Sequence, residues 1–492
     1  MNGRALSRWS TVGGLALVTS LPTFAAAQAA RPSPRTVSGP SRTTTPRFAH
    51  LEGTYRYHGS LTAALVATDT GLVAVIEDAK YPLRPIGGDR FLNPAGDTIP
   101  FRRSASGTVE GFAERGVFFP RMTPNVESAA RLLLAALPVE ESGTASSRRY
   151  ASPAALGDGI AVGDLAHAGY DSTVVRRLVE GVAAGKYADL HGVLVYRKGR
   201  LVLEQYFYGF DVDRPHQLRS ATKSVVSALV GIALDRRLLP GLQERILPRF
   251  PYTSYRNPHP TKAALTLEDL LTHRTGIACD DWDRDSPGQE MRVMASGDWV
   301  KRWLDLPVIG ARGAKGHYCS AGVLAAGRLV ELASGERLPA FAQRVLFDPL
   351  GIRAADVRWK FTLDSTNVGT AAQLYLRPRD MLKLGILYAQ QGRWNGRQVV
   401  SAEWVRRSTT EHTVIGDEGH GYYWWVKFMN VPTPAGNQRV DMVSAAGNGG
   451  QKIVIVPKLD LVVVLPAGAY NAESPSNPVL AEVLLPPLLT GR

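Results

Sequence analysis

Cysteine is nearly absent: Cys279 and Cys319 are the two in 492 residues. That excludes a disulfide-dense scaffold and a thiolate-rich metal site. No His-Glu-x-x-His pair and no His/Cys cluster at ligand spacing occurs, so neither a metal nor any other cofactor is expected. No Gly-x-Ser-x-Gly elbow occurs, which argues against an α/β-hydrolase. No apolar run is long enough to cross a bilayer, so no transmembrane segment is expected. Internal repeats and nucleic-acid motifs are also missing. The net charge is +13. Six of the basic residues, Arg4, Arg8, Arg31, Arg35, Arg42 and Arg47, lie near the N-terminus, where the segment from Arg31 to Arg47 carries no acid. The excess reads as a solvated surface, with no nucleic-acid partner. Nothing in the pattern sets an oligomeric state.

At 45% hydrophobic and 21% charged, the chain has an ordinary globular composition and is too long for one average domain. Residues 1–27 read as a signal peptide. Arg4 and Arg8 precede a short apolar stretch, Thr11 to Phe24, and Ala25-Ala26-Ala27 offers a small-residue cleavage site. The protein is therefore expected to be exported, to a periplasm or the extracellular space. Residues 28–47, rich in Pro, Ser, Thr and Arg, read as a linker.

Residues 48–122 carry short β-prone runs, Gly53–Tyr57, Leu61–Ala67, Gly71–Glu77 and Gly107–Ala113, separated by Gly, Asp, Asn and Pro clusters. The pattern predicts a small all-β, barrel-like domain. It contains no catalytic constellation and reads as accessory. Residues 123–149 form a helix, from Val126 to Pro138, and a polar connector. The second domain, 150–492, starts with a helix over Ser172 to Tyr187, capped by Asp171 or Ser172, and a hairpin, Gly192–Tyr196 with Leu201–Tyr206. It ends with a second strand pair, Lys452–Val456 and Leu461–Leu465. Helices fill the middle. The order predicts an α+β fold in which one antiparallel sheet is closed by the two ends of the domain and flanked by a helical lobe.

Three segments carry chemistry. In Arg219-Ser220-Ala-Thr-Lys223, Ser220 and Lys223 stand one helical turn apart, ahead of an almost wholly apolar helix. A serine at a helix start benefits from free N–H groups and the positive dipole end. Burial is expected to lower the Lys223 pKa and leave an amine able to accept the serine proton. Ser-x-x-Lys is a catalytic signature that also arises by chance; the buried helix behind it gives it weight here. In the second, Tyr318-Cys319-Ser320 precedes another apolar helix, which can hold the Tyr318 phenol and the Ser320 hydroxyl at a cleft; taken alone, a satisfied core tyrosine is the better reading. In the third, Asn448-Gly449-Gly450-Gln451 leads into the Lys452 strand, and its glycines permit close approach of a ligand. The Gln451 N–H is a candidate second oxyanion donor beside that of Ser220; a plain glycine turn is the alternative.

In this order and spacing the three segments resemble the serine β-lactamase-related family: class C β-lactamases, DD-peptidases, family VIII carboxylesterases and 6-aminohexanoate-dimer hydrolases. The resemblance spans about residues 150 to 485 and extends to Leu267-Glu-Asp-Leu-Leu-Thr-His-Arg-Thr-Gly276 and Gly392-Arg-Trp-Asn-Gly396. The Tyr-Cys-Ser and Gly-Asn-Gly-Gly-Gln forms are most similar to the aminohexanoate-dimer hydrolase branch. It implies a β-lactamase/transpeptidase-like fold and a covalent hydrolysis of a small-molecule ester, amide or peptide. Ser220 is then the nucleophile, Lys223 and Tyr318 its acid/base partners, and Ser320, Asn448, Gly449, Gly450 and Gln451 the substrate- or oxyanion-binding set. Which of Lys223 and Tyr318 acts as base in acylation stays open.

Such enzymes usually open the third segment with Lys or His, which holds a substrate carboxylate; Asn448 gives up that charge. Esters or amides lacking the carboxylate follow as the expected substrates. A true β-lactamase or DD-peptidase, and a sensor that acylates without turnover, are the alternatives. The resemblance also sets the Thr272–Gly276 segment near the cleft, which makes Cys279 and Cys319 candidates for a disulfide. His273 and His317 read as structural. Tyr422 to Trp425 read as pocket lining or as a core strand.

Overall fold

A computed structural model describes residues 46–136 and 150–490. The expected signal peptide, most of the expected linker, and the polar connector lie outside the described residues.

The chain first forms a closed eight-stranded antiparallel barrel: β1 Gly53–Arg56, β2 Thr62–Ala67, β3 Leu72–Ile76, β4 Ala79–Gly87, β5 Arg90–Leu92, β6 Thr98–Arg103, β7 Val109–Glu114 and β8 Val117–Thr123, with β1 pairing back onto β8. Four of these strands were expected. The others escape a sequence pattern for physical reasons. Strand β4 contains Pro82 and Pro85, which demote a strand. Strand β5 has three residues. Strands β6 and β8 contain Pro100 and Pro120.

Side chains alternate across the barrel wall. Ala63 and Leu65 of β2 and Leu72, Ala74 and Ile76 of β3 face the lumen, with Tyr55, Phe91, Phe112 and Phe119. Ala64, Val66 and Val75 face outward and join a second apolar core shared with the rest of the molecule. A short helix, α1 Ser128–Ala135, adds Ala130 and Leu133 to that core. The barrel thus rests on the larger part of the protein through an apolar seam.

The larger part is built on an eight-stranded antiparallel sheet. Its strands are β9 Gly192–Arg197, β10 Arg200–Tyr206, β11 Thr413–Ile415, β12 Glu418–His420, β13 Trp425–Thr433, β14 Gly436–Gly447, β15 Gln451–Val456 and β16 Leu461–Leu465. They lie in the order β10-β9-β16-β15-β14-β13-β12-β11. The N-terminal hairpin and the C-terminal strand pair meet at β9 and β16, where Leu194 stands opposite Val464. The continuous apolar runs Ile453–Val456 and Leu461–Leu465 are explained by burial on both faces. Ile453, Ile455, Val462 and Val464 pack into the helical lobe. Val454, Val456, Val463 and Leu465 pack under α2, Thr173–Ala183, the Val479–Leu484 turn and the barrel seam.

Three helices of the lobe matter for the site: α3 Thr222–Asp235, α4 Ser320–Ser334 and α5 Pro378–Ala389. At Gly385 of α5 a methyl group would lie 2.5 Å from Val462 Cγ1 and 2.8 Å from Ile453 Cγ2, so glycine sets how closely this helix lies on the sheet. Among the described residues no helix is long and apolar enough to cross a membrane.

Candidate active site

Ser220 sits in a single 3-10 turn, Arg219–Ala221, that runs directly into α3. Arg219 just before it holds a left-handed backbone, φ 49°, unusual for a side chain with a Cβ. One turn on, Lys223 is buried, with 2% of its surface exposed. Its Nζ donates to Ser220 Oγ at 3.0 Å and to the Ala371 carbonyl at 3.0 Å. The ammonium lies 4.8 Å from the centre of the Tyr318 ring. Tyr318, far from Ser220 and Lys223 in sequence, therefore meets them at one place, and Ser220 and Tyr318 line the same cavity.

Tyr318 is held from several sides. Trp282 stacks on it at 5.3 Å and Trp425 at 5.7 Å, while His273 lies 5.2 Å away. The His273 Nδ1 accepts the Cys319 N–H at 3.3 Å. Burial drives the His273 pKa well down, helped by His420 and Lys223, so the ring is neutral beneath the phenol. His273 thus positions the tyrosine, in keeping with a structural reading. His317 instead pairs with Asp280 at 3.0 Å. Tyr422, Tyr423 and Trp424 are core residues, whereas Trp425 supports Tyr318.

Cys279 and Cys319 form a disulfide with a Cα–Cα separation of 5.3 Å. It ties the loop carrying Asp281 and Trp282 to the first residue before α4. Asp281 was missed in the sequence, where nothing but its place in that loop marked it. Its N–H donates to the Tyr318 carbonyl at 2.8 Å, and its Oδ2 accepts the Ser320 N–H at 2.8 Å. Its other oxygen and the Ser320 hydroxyl are sealed from solvent without a hydrogen-bond partner. Burial of the carboxyl pushes its pKa up to about 7; Glu290 adds to the rise, and Lys223 and Ser320 oppose it.

The third segment divides. Asn448 lines the cavity and is fixed by Asn471, whose N–H donates to its Oδ1 at 2.9 Å. Gly449 and Gly450 hold φ near 92° and 94° and turn away, against Tyr470 and against Ala467, Ser474 and Ser476. The Gln451 side chain is buried beside Ala467, whose N–H it accepts at 3.2 Å. Gly447 is the glycine that packs against the backbone of the nucleophile: a methyl there would lie 2.3 Å from the Leu218 carbonyl and 3.0 Å from the Ser220 nitrogen. Counting from the glycine run misplaced the close approach, because the narrow hairpin reverses the chain between Gly447 and Gln451.

The reading of the barrel as accessory also needs correction. The cavity at Ser220 has a volume of about 340 Å³, and about half of its lining comes from the barrel, including Tyr57, His58, Ala63, Ala74, Leu83 and Glu114.

A family model described as Beta-lactamase matches residues 173–476. The chain belongs to the β-lactamase family. That membership makes it a hydrolase in class and points to a small-molecule substrate. The 6-aminohexanoate-dimer hydrolase of Paenarthrobacter ureafaciens is 27% identical over 296 residues, covering 55% of this chain and 70% of that protein. The unguisins hydrolase of Aspergillus violaceofuscus is 28% identical over 156 residues, 29% of this chain and 25% of its own. Among solved structures, a candidate β-lactamase from Bacteroides dorei superposes with a TM-score of 0.50 at 18% identity, covering 64% of this chain and 98% of the other. That likeness bears on the fold, which is of the β-lactamase/transpeptidase type behind an N-terminal barrel.

Proposed function

We propose that this β-lactamase-family protein is a serine hydrolase that cleaves ester or amide bonds through an acyl-enzyme on Ser220. The observation that carries the reading is the 3.0 Å hydrogen bond from Lys223 Nζ to Ser220 Oγ inside a cavity that Tyr318 also lines. A serine hydroxyl becomes a useful nucleophile when an adjacent group takes its proton. Lys223 and Tyr318 are close enough to share that task. Ser220 Oγ attacks the carbonyl, and its proton passes into the Lys223–Tyr318 pair. The tetrahedral oxyanion is held by the N–H of Ser220, with that of Gly447 as second donor. The same pair protonates the leaving group, then deprotonates the water that releases the acid and regenerates the hydroxyl.

Substrate class follows from what faces Ser220. Asn448, tied to Asn471, presents a neutral amide where a substrate carboxylate would need a cation. Linear amides and esters fit better than β-lactams, and the 27% identity to a protein named 6-aminohexanoate-dimer hydrolase supports that choice. The signal-like N-terminus and the Cys279–Cys319 bridge both support export to an oxidising compartment.

The test is steady-state turnover of p-nitrophenyl acetate and of a linear amide by wild type and Ser220→Ala, with nitrocefin alongside. Continuous turnover that vanishes in the variant is expected. One stoichiometric burst without a steady rate would make the protein a sensor, and nitrocefin turnover as fast as that of the ester would make it a β-lactamase.

A further inference from the structure

The barrel lumen opens onto Ser220. We propose that it is the specificity pocket of the enzyme and takes a linear apolar chain of the substrate; this inference rests on the serine-hydrolase reading above. Eight-stranded barrels have interiors that side chains just fill or that hold one small ligand, depending on how large the inward residues are. Here the filling is uneven. One part of the lumen is packed with aromatic rings: Tyr55 against Phe112 at 5.3 Å, Phe91 against Phe101 at 5.7 Å and Phe112 against Phe119 at 5.2 Å. On β2 and β3 the inward positions include Ala63 and Ala74, which are too small to meet those rings. The space they leave belongs to the cavity that reaches Ser220.

The barrel side of that cavity has two kinds of lining. Its polar members are Tyr57, His58, Tyr81, Asn93, Glu114 and Arg115. The carboxylate of Glu114 is already engaged, accepting from Asn93 Nδ2 at 2.7 Å and Tyr57 Oη at 3.3 Å. Burial drives His58 down to about 3, so its ring is neutral. Its hydrocarbon members include Leu61, Ala63, Ala74, Ile76, Leu83 and Phe112. A substrate whose scissile carbonyl sits at Ser220 therefore finds both polar groups and hydrocarbon wall in the same cavity. An unbranched alkyl or acyl chain laid along the hydrocarbon members gains from every methylene withdrawn from water.

The test is two ester series, read as kcat/KM below the micellar range. One lengthens the acyl chain on a p-nitrophenyl leaving group, from acetate to octanoate and beyond. The other lengthens the alcohol of an acetate ester. A rise of roughly fourfold per methylene is expected in one series, up to the length at which the lumen is full, and it identifies which side of the ester enters. Ala63→Phe and Ala74→Phe, made separately and checked for folding by circular dichroism, should each lower the octanoyl-to-acetyl ratio by about tenfold or more. Protection of Ser220 from fluorophosphonate labelling by long- and short-chain competitors gives the same comparison in the wild type, without a variant. Acetate turnover with no gain in either series, or plugged lumens with an unchanged ratio, overturns the lumen assignment and leaves the Ser220 chemistry standing. No ester turnover and no labelling overturns both.

Discussion

The two walls of the cavity are made by different rules. The wall formed by α3, α4 and β14 uses residues that chemistry cannot exchange: a hydroxyl, an amine, a phenol and a glycine that alone fits against Ser220. The barrel wall sets the polar residues His58, Asn93, Glu114 and Arg115 among aliphatic and aromatic residues that many others of similar volume could replace. On the proposed reading, the first wall decides whether a bond breaks and the second which molecule is held there. Changes on the catalytic wall should therefore lower the rate for all substrates alike, while changes on the barrel wall should alter the ranking of substrates.

The largest test of that contrast is Ser220→Ala. It should reduce kcat by on the order of 10⁴-fold or more for short and long substrates equally, with unchanged circular dichroism. A loss that depends on chain length would blur the division. Next come Lys223→Ala and Tyr318→Phe, each expected to lower kcat by about 10²–10⁴-fold in steady-state assays, again without regard to chain length. A near-normal rate in either would remove that residue from proton transfer.

The disulfide is the next measure. Replacing Cys279 and Cys319 together by alanine opens a loop of 40 residues and should cost roughly 3–4 kcal/mol in urea unfolding. Asp281 adds a pH-dependent contribution. Its folded carboxyl holds a proton more tightly than in the unfolded chain, so its contribution is fully present below the unfolded value near 4. It is lost as pH rises through about 7. Asp281→Asn should accordingly gain Tm relative to wild type between these limits, by an amount worth a few kcal/mol. Parallel Tm profiles would remove Asp281 as the cause. The smallest effect is expected at Trp282, which is 57% exposed and stacks on Tyr318. Trp282→Ala should lower kcat/KM by tenfold or less, the size of one aromatic contact.

How much was legible in the sequence follows the same division. Ser220, Lys223 and Tyr318 were readable because each is a reactive side chain ahead of an apolar helix. The central sheet was readable from the valine and isoleucine runs at its two ends. Gly447 was missed because which glycine faces the nucleophile depends on hairpin register, and Asp281 because its meaning comes from its neighbours. The barrel was legible as β structure, but Pro82, Pro85, Pro100, Pro120 and the short β5 hid half its strands. Its share in the cavity left no mark, since an empty lumen is written only as small residues, Ala63 and Ala74.

The pairing of β9 with β16 has a consequence for how the molecule is made. The two strands sit side by side in the middle of the sheet, yet one is translated early and the other almost last. Until Leu461–Leu465 leaves the ribosome, the β9–β10 hairpin has nothing to join, while the barrel has long had all eight of its strands. A message truncated just upstream of Leu461 would leave the sheet in two unmatched pieces, with Ser220, Lys223 and Tyr318 all translated and no framework to bring them together.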